Sequence, residues 1–299
     1  MDWTALAMVG AGLFGIVSIL DKFIIERQVR DVRTFILVVG LQSWIIGAVV
    51  LLNEPVAAGT PLSAVALAVG AGLFESGGLT IMFFTLRTQE VSRAVSVTQT
   101  FPIFVAILAV FFLNEALDLW EWLAIVVTVG GAVILSTQRA PGGGLFLSRS
   151  FLLLILASLA MAVSRILTKE ALEDLSSWSM LGIFMISIPP GFFAISLRGS
   201  VLREAYSIIR RPRTLSWFLG DSAVAVTAQW FQFAAFAVGP VSFVSALVAT
   251  RPFFIFIYAV LLSWLTPRFL WEPLSPRILG VKLLAIAMIV GGGSRILLS

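Results

Sequence analysis

Apolar runs of about twenty residues alternate along this chain with short polar connectors, and no segment shows the strict two-residue alternation of a half-buried strand. Ten runs can be marked: 3–20, 34–52, 62–86, 94–113, 119–137, 150–168, 178–197, 214–236, 240–264 and 278–297. A helix rises about 1.5 Å per residue, so about 20 apolar residues cross the hydrocarbon core of a bilayer. Open loops cannot cross lipid with unpaired backbone groups, and a barrel would show alternating segments of about ten residues. The pattern predicts an all-α membrane protein of ten transmembrane helices. The first run lacks a preceding basic segment, so it reads as a spanning helix and not as a cleavable signal. Seven of the nine Trp (Trp3, Trp120, Trp122, Trp178, Trp217, Trp264 and Trp271) fall near run ends, as in an interfacial aromatic belt.

The runs repeat in order. Val91-Ser92 and Val241-Ser242 are each followed by Thr-x-Pro at one spacing, Thr100 to Pro102 and Thr250 to Pro252. Leu123-Ala124-Ile125 leads to Val129-Gly130-Gly131, and Leu284-Ala285-Ile286 leads to Val290-Gly291-Gly292. Ile19-Leu20-Asp21-Lys22 matches Ile166-Leu167-Thr168-Lys169. These matches predict two five-helix halves, 1–137 and 150–299, joined by a linker over 138–149 that holds Pro141-Gly142-Gly143-Gly144. Five is odd, so matching helices cross in opposite directions. The expectation is an inverted repeat, a common plan of secondary transporters.

Composition narrows the chemistry. The chain is 59% hydrophobic and 12% charged, against about a quarter charged in a soluble domain. It holds no Cys and no His, which removes disulfides, thiol nucleophiles, imidazole bases and the usual soft metal sites. No cofactor, metal or nucleic-acid partner is expected, and no enzymatic activity. Gly10-x-Gly12-x-x-Gly15 imitates a dinucleotide fingerprint, but no strand precedes it; small residues there let helices approach closely.

With these motifs in place, the chain resembles the ten-helix EamA form of the drug/metabolite transporter superfamily. The resemblance is densest where Arg93-Ala94-Val95-Ser96 leads to Thr100-Phe101-Pro102-Ile103-Phe104, then Leu113-Asn114-Glu115, then Gly130-Gly131-Ala132. The second half departs from that pattern, with Leu265-Thr266 near the place of a second Glu and Arg251 before Pro252. The resemblance implies a central cavity that moves small organic solutes, such as amino acids or related metabolites, often outward. It implies a multi-pass protein of a cell membrane, a bacterial or archaeal inner membrane, working as a monomer or homodimer. A non-transporting scaffold or sensor subunit is the rival reading.

Charge predicts an orientation. Connectors at 21–33, 87–93, 138–149, 198–213 and 265–277, with their flanks, carry 16 Lys and Arg. The opposite set carries three: Arg165, Lys169 and Arg295. Basic residues are retained on the cytoplasmic side, so the count places both termini outside, whereas the resemblance implies both inside. The count is the reading followed here.

Charge at mid-membrane costs roughly 2.5–3.5 kcal/mol, so ionisable residues inside the runs are site candidates. Glu75 lies about 20 Å along its run and Arg251 about 16 Å, with Asp221 nearer an end. Arg251 could hold a substrate carboxylate by paired hydrogen bonds. Glu75 could bind an amine or carry a coupling proton; another coupling ion is equally open. The structural alternative is that Arg251 neutralises Glu75 or Asp221. Softer candidates are Gln229 and Gln232 on the face of Asp221, Ser96 and Gln99 before the Pro102 break, and Trp230 as an apolar wall. For these, ordinary interhelical hydrogen bonding is the competing account.

Overall fold

The computed structural model describes residues 2–85, 97–136, 149–265, 280, 284–289 and 291–292. Every regular element among them is helical. In chain order they are α1 Trp3–Arg27, α2 Val32–Asn53, α3 Leu62–Thr85, α4 Phe101–Phe112, α5 Leu119–Ser136 and α6 Arg149–Ala171. Then come α7 Ser177–Ser187, α8 Pro189–Ser196, α9 Gly199–Ile209, α10 Pro212–Val238, α11 Val241–Val248 and α12 Arg251–Leu265. A further helical stretch runs over 284–289. The linker expected at 138–149, Val91-Ser92, Arg93 to Ser96 and Thr266 lie outside the described residues, Arg149 excepted.

Among the described residues, six segments are long and apolar enough to cross a membrane: Trp3–Arg27, Val32–Asn53, Leu62–Met82, Phe151–Ala171, Ser177–Ser196 and Val241–Tyr258. Phe101–Phe112 and Leu119–Ile134 are shorter apolar helices. Helix α10 has 27 residues but carries Arg213, Asp221, Gln229 and Gln232, which lower its hydropathy. The chain is an all-α membrane protein. Leu, Ile and Phe side chains left exposed on the outside, such as Ile45, Phe111 and Leu152, would face lipid.

Prolines divide the spanning segments where the repeated motif stands. Thr100 donates to Val97 O from its amide at 3.1 Å and from Oγ1 at 2.6 Å, then α4 starts at Phe101-Pro102. Thr250 does the same to Leu247 O, at 3.0 and 2.6 Å, and α12 starts at Arg251-Pro252. Proline has no N–H for the carbonyl one turn back, so the helix restarts at each site. At the α7–α8 step, Pro190 leaves Ile186 O without its helical donor, and Trp44 Nε1 donates to it at 2.8 Å. That bond gives mid-helix Trp44 its role, together with an edge-on contact to the Phe193 ring at 5.0 Å.

The most extensive helix contacts are α3 with α6 and α1 with α10; α4 also packs on α6, and α12 on α1. Glycine sets the closest approach at two places. A Cβ on Gly131 of α5 would lie 2.7 Å from Ala285 O, and one on Gly292 would lie 2.7 Å from Ala124 O. Each helix therefore presents to the other the same Ala and Gly of its Leu-Ala-Ile…Val-Gly-Gly motif.

Two features of the sequence reading change. The connector at 198–213 contains a helix, α9, which pairs apolar and polar stripes and so lacks the length and hydropathy of a span. Helix α1 runs to Arg27, so Asp21, just past the run 3–20, lies within a helix; Arg165, inside the run 150–168, belongs with the buried groups and not with the connector charges.

Candidate functional site

Two groups of opposite charges inside the bundle sit beside the two helix restarts, the first buried and the second partly so. Beside α4, Arg165 of α6 is 7% exposed and Glu75 of α3 is 8% exposed. Arg165 Nη2 donates to Glu75 Oε1 at 2.9 Å. The guanidinium carbon lies 5.9 Å from the centre of the Phe101 ring, at the first residue of α4. The contact is single. Glu75 Oε2 and Arg165 Nε and Nη1 are buried with no partner among the described residues. A buried polar atom without a partner costs about 1–3 kcal/mol, more when charged. Glu75 is therefore paired with Arg165, and not with Arg251 as the sequence alternative had it.

Beside α12, Arg251 reaches into α1. Its Nε donates to Phe14 O at 2.9 Å and to Ser18 Oγ at 2.6 Å, and its guanidinium stacks over the Phe14 ring at 5.2 Å. Asp21 of α1 and Asp221 of α10 are the acidic groups whose charges act on it. Neither carboxylate makes a direct ion pair with Arg251, so the structural pairing of Arg251 with Asp221 is at most a longer-range interaction, shared with Asp21. Asp221 is 3% exposed, and its Oδ1 has no hydrogen-bond partner among the described residues. The two carboxylates and the guanidinium together carry a formal charge of −1 when all are ionised.

The expected face of α10 forms. Asp221, Gln229 and Gln232 are all buried, and Gln229 Nε2, both amide atoms of Gln232 and Trp230 Nε1 are buried without described partners. Trp230 stacks on Trp178 of α7 at 5.2 Å and meets Phe231 edge-on at 5.2 Å. Ser222 Oγ donates to Gln42 Oε1 of α2 at 3.0 Å. So many unpaired polar atoms on one helix mark the polar interior of the bundle; ordinary packing would have satisfied them. Gln99 is half-buried in the turn before α4. The carbonyl that Pro102 frees, Thr98 O, accepts from Ser158 Oγ at 3.3 Å, so that acceptor is already engaged. Ser96 lies outside the described residues.

Glu115 has a defined structural place. It accepts from Val241 N at 2.6 Å, from Ser242 N at 3.4 Å and from Ser242 Oγ, at the start of α11. Lys169 Nζ donates to Phe236 O at 2.8 Å and Gly239 O at 3.1 Å, at the end of α10. A carboxylate on the amide end and an ammonium on the carbonyl end both match the helix dipoles.

Sequence reasoning missed Asp21 because it sits just past the apolar edge of the run 3–20, and Arg165 because it stands near the end of the run 150–168, where it reads as a flanking connector charge. A signal existed: each lies within one turn of the matched Ile-Leu-x-Lys segments.

A bundle of apolar helices whose interior holds a buried ion pair beside one helix restart, an arginine at the other and amides without described partners along α10 has the architecture of a multi-pass membrane protein with a polar interior. Residues 2–137 match the model of the EamA-like transporter family. S-adenosylmethionine uptake transporters of Rickettsia prowazekii and Rickettsia conorii are each 28% identical over 185 residues. The Rickettsia felis transporter of the same name is 27% identical over 188 residues. The matches cover 54–55% of this chain and only 62–63% of each relative's own length. A crystal structure superposes with a TM-score of 0.66 at 16% identity, covering 98% of this chain and 94% of the other, which establishes a shared fold.

Proposed function

We propose that this protein is a secondary transporter of small amino-acid-like metabolites that carry both a carboxylate and a cationic group, in a cell membrane. Asp221 carries the reading: a buried carboxylate with an oxygen that has no described partner, whose charge acts on an arginine anchored through Nε. In this scheme Arg251 receives the carboxylate through its remaining donors, and Asp221 with Asp21 receives the cationic group. With all three groups ionised, the formal charge of −1 suits a solute of net charge +1. S-adenosylmethionine, with one carboxylate, one ammonium and one sulfonium, has that charge, and the matched Rickettsia relatives bear its name. Glu75 with Arg165, and Gln99, Gln229 and Gln232, complete the polar lining, and Trp230 supplies an aromatic wall.

The mechanism we propose is alternating access between two five-helix halves of inverted topology, 1–137 and 150–299, with ten spans in all. Support comes from contacts that recur with the halves exchanged. Packing of α3 on α6 has its counterpart in α10 on α1, and α4 on α6 in α12 on α1. The Gly131–Ala285 approach has its counterpart in Gly292–Ala124. By the matched segments, Ser18 corresponds to Arg165 and Phe101 to Arg251. One residue of each contacting pair is arginine, but on a different helix. Drive comes from a solute or ion gradient.

The experiment is counterflow of labelled S-adenosylmethionine in proteoliposomes, which reads translocation whether the physiological direction is inward or outward. Wild-type protein exchanges label. Arg251→Lys weakens exchange, since a point charge cannot reproduce a planar fork, and Arg251→Ala abolishes it. An absence of exchange with this solute and with a panel of zwitterionic amino acids refutes the reading. An Arg251→Ala/Asp221→Asn protein that is stable and fully active reduces Arg251 to a structural counter-ion.

A further inference from the structure

Helix α9 carries its residues in four stripes. Val201, Ala205 and Ile208 are buried against the bundle. One stripe round, Leu202, Tyr206 and Ile209 are 48%, 57% and 60% exposed. Residues 203, 207 and 210 form the next stripe, with Arg203 and Arg210 both exposed. On the far side Glu204 accepts from Arg30 N at 2.7 Å and Thr34 Oγ1 at 2.8 Å, at the start of α2. The helix is thus held by one face and by Glu204, and a second apolar stripe bordered by arginines is left outward.

The surroundings are basic. Arg198, Arg203, Arg210, Arg211 and Arg213 are all exposed, and Glu204, the one acid between 198 and 213, is engaged with α2. Arg210 hydrogen-bonds Tyr206 Oη and stacks on its ring at 4.5 Å, which holds the guanidinium at the edge of the apolar stripe. Trp217 of α10, packed on Phe23 at 4.8 Å, is partly exposed at the same end of the bundle, where interfacial tryptophans sit. An amphipathic helix with apolar residues beside a basic stripe lies in the plane of a membrane interface, and its cations draw anionic lipid.

We propose that α9 is an interfacial helix that binds an anionic phospholipid, with Leu202, Tyr206 and Ile209 among the acyl chains and Arg203 and Arg210 on the headgroup phosphate. A protein partner would have to cover an apolar stripe flanked by five cations, and it would need a matching acidic surface at bilayer depth. The lipid meets both demands with one molecule.

The test uses the purified full-length chain in detergent, titrated with phosphatidylglycerol or phosphatidylcholine, reading lipid retained in native mass spectrometry and the shift in thermal unfolding. Wild-type protein retains phosphatidylglycerol in preference and is stabilised by it. Arg203→Gln/Arg210→Gln loses that preference, on the order of fivefold in affinity per arginine. Lys22→Gln, which removes an exposed cation of the same end, keeps it. Equal retention of both lipids by wild-type protein overturns the proposal without needing any variant. So does a preference that survives in the double variant, or one lost equally in Lys22→Gln, which assigns it to diffuse charge.

Discussion

Removing the guanidinium of Arg165 tests the buried pair most directly. Arg165→Ala leaves the Glu75 carboxylate 8% exposed, with its bonded Oε1 joining Oε2 as an atom without a described partner. Breaking a buried pair from one side costs about 3–5 kcal/mol, because the remaining charge stays desolvated. For a chain of this size that lowers the midpoint of thermal unfolding by about 6 °C or more. Replacing both residues by apolar ones of similar volume, Glu75→Met/Arg165→Met, removes both desolvation penalties together. The double variant should return to within about 1 kcal/mol of the parent, or exceed it. Unfolding of the purified protein in detergent, followed by a fluorescence reporter of exposed core, gives all four corners of the cycle. A coupling below about 1 kcal/mol would refute the pairing as an energetic fact. Counterflow on the same four proteins adds a second answer. If the pair only holds α3 to α6, the stable double variant transports; if it belongs to the solute path, that variant is stable and inactive.

Orientation is testable because the chain has no cysteine of its own: Glu54→Cys should label with an impermeant maleimide from outside, and Arg211→Cys only after permeabilisation. The reverse pattern would overturn the charge count. Gly131→Ala should destabilise by about 1–3 kcal/mol in thermal unfolding, since its Cβ meets backbone that cannot yield. Gly77→Ala, with nothing within 4 Å, should be neutral or gain up to ~1 kcal/mol. Glu115→Ala removes the acceptor at the start of α11 and should cost about 0.5–2 kcal/mol by the same measurement, comparable to the loss of an N-cap. Unchanged stability there would show the cap to be energetically idle.

The helices were legible because lipid demands long apolar runs, and the two Thr-x-Pro restarts were legible because proline removes a specific hydrogen bond. The face of Asp221, Gln229 and Gln232 followed from helical spacing alone. Partner choice was not legible. Whether Glu75 meets Arg251 or Arg165 depends on which helices are neighbours, and periodicity within one helix says nothing of that. Asp21 escaped notice for a related reason: a hydropathy boundary falls where charge begins, whereas the helix continues while its backbone bonds are satisfied; Arg165 stands inside its run but close to its end, where it reads as connector charge. Helix α9 hid in a basic connector because its apolar stripes are each only three residues long.

The turn at Gly239-Pro240 has a mechanical consequence. Lys169 belongs to α6 and Glu115 follows α4, yet they grip the two ends of one turn, the last carbonyls of α10 and the first amides of α11. Four helices therefore meet in one pinned joint. Neither α10 nor α11 swivels about that turn unless both grips release, and the two grips are opposite in sign, so no single change of charge releases both. Any rearrangement that keeps these bonds carries the joint as a rigid corner and takes up its strain at the far ends of α10 and of the α11–α12 segment, one of which begins among the arginines of α9.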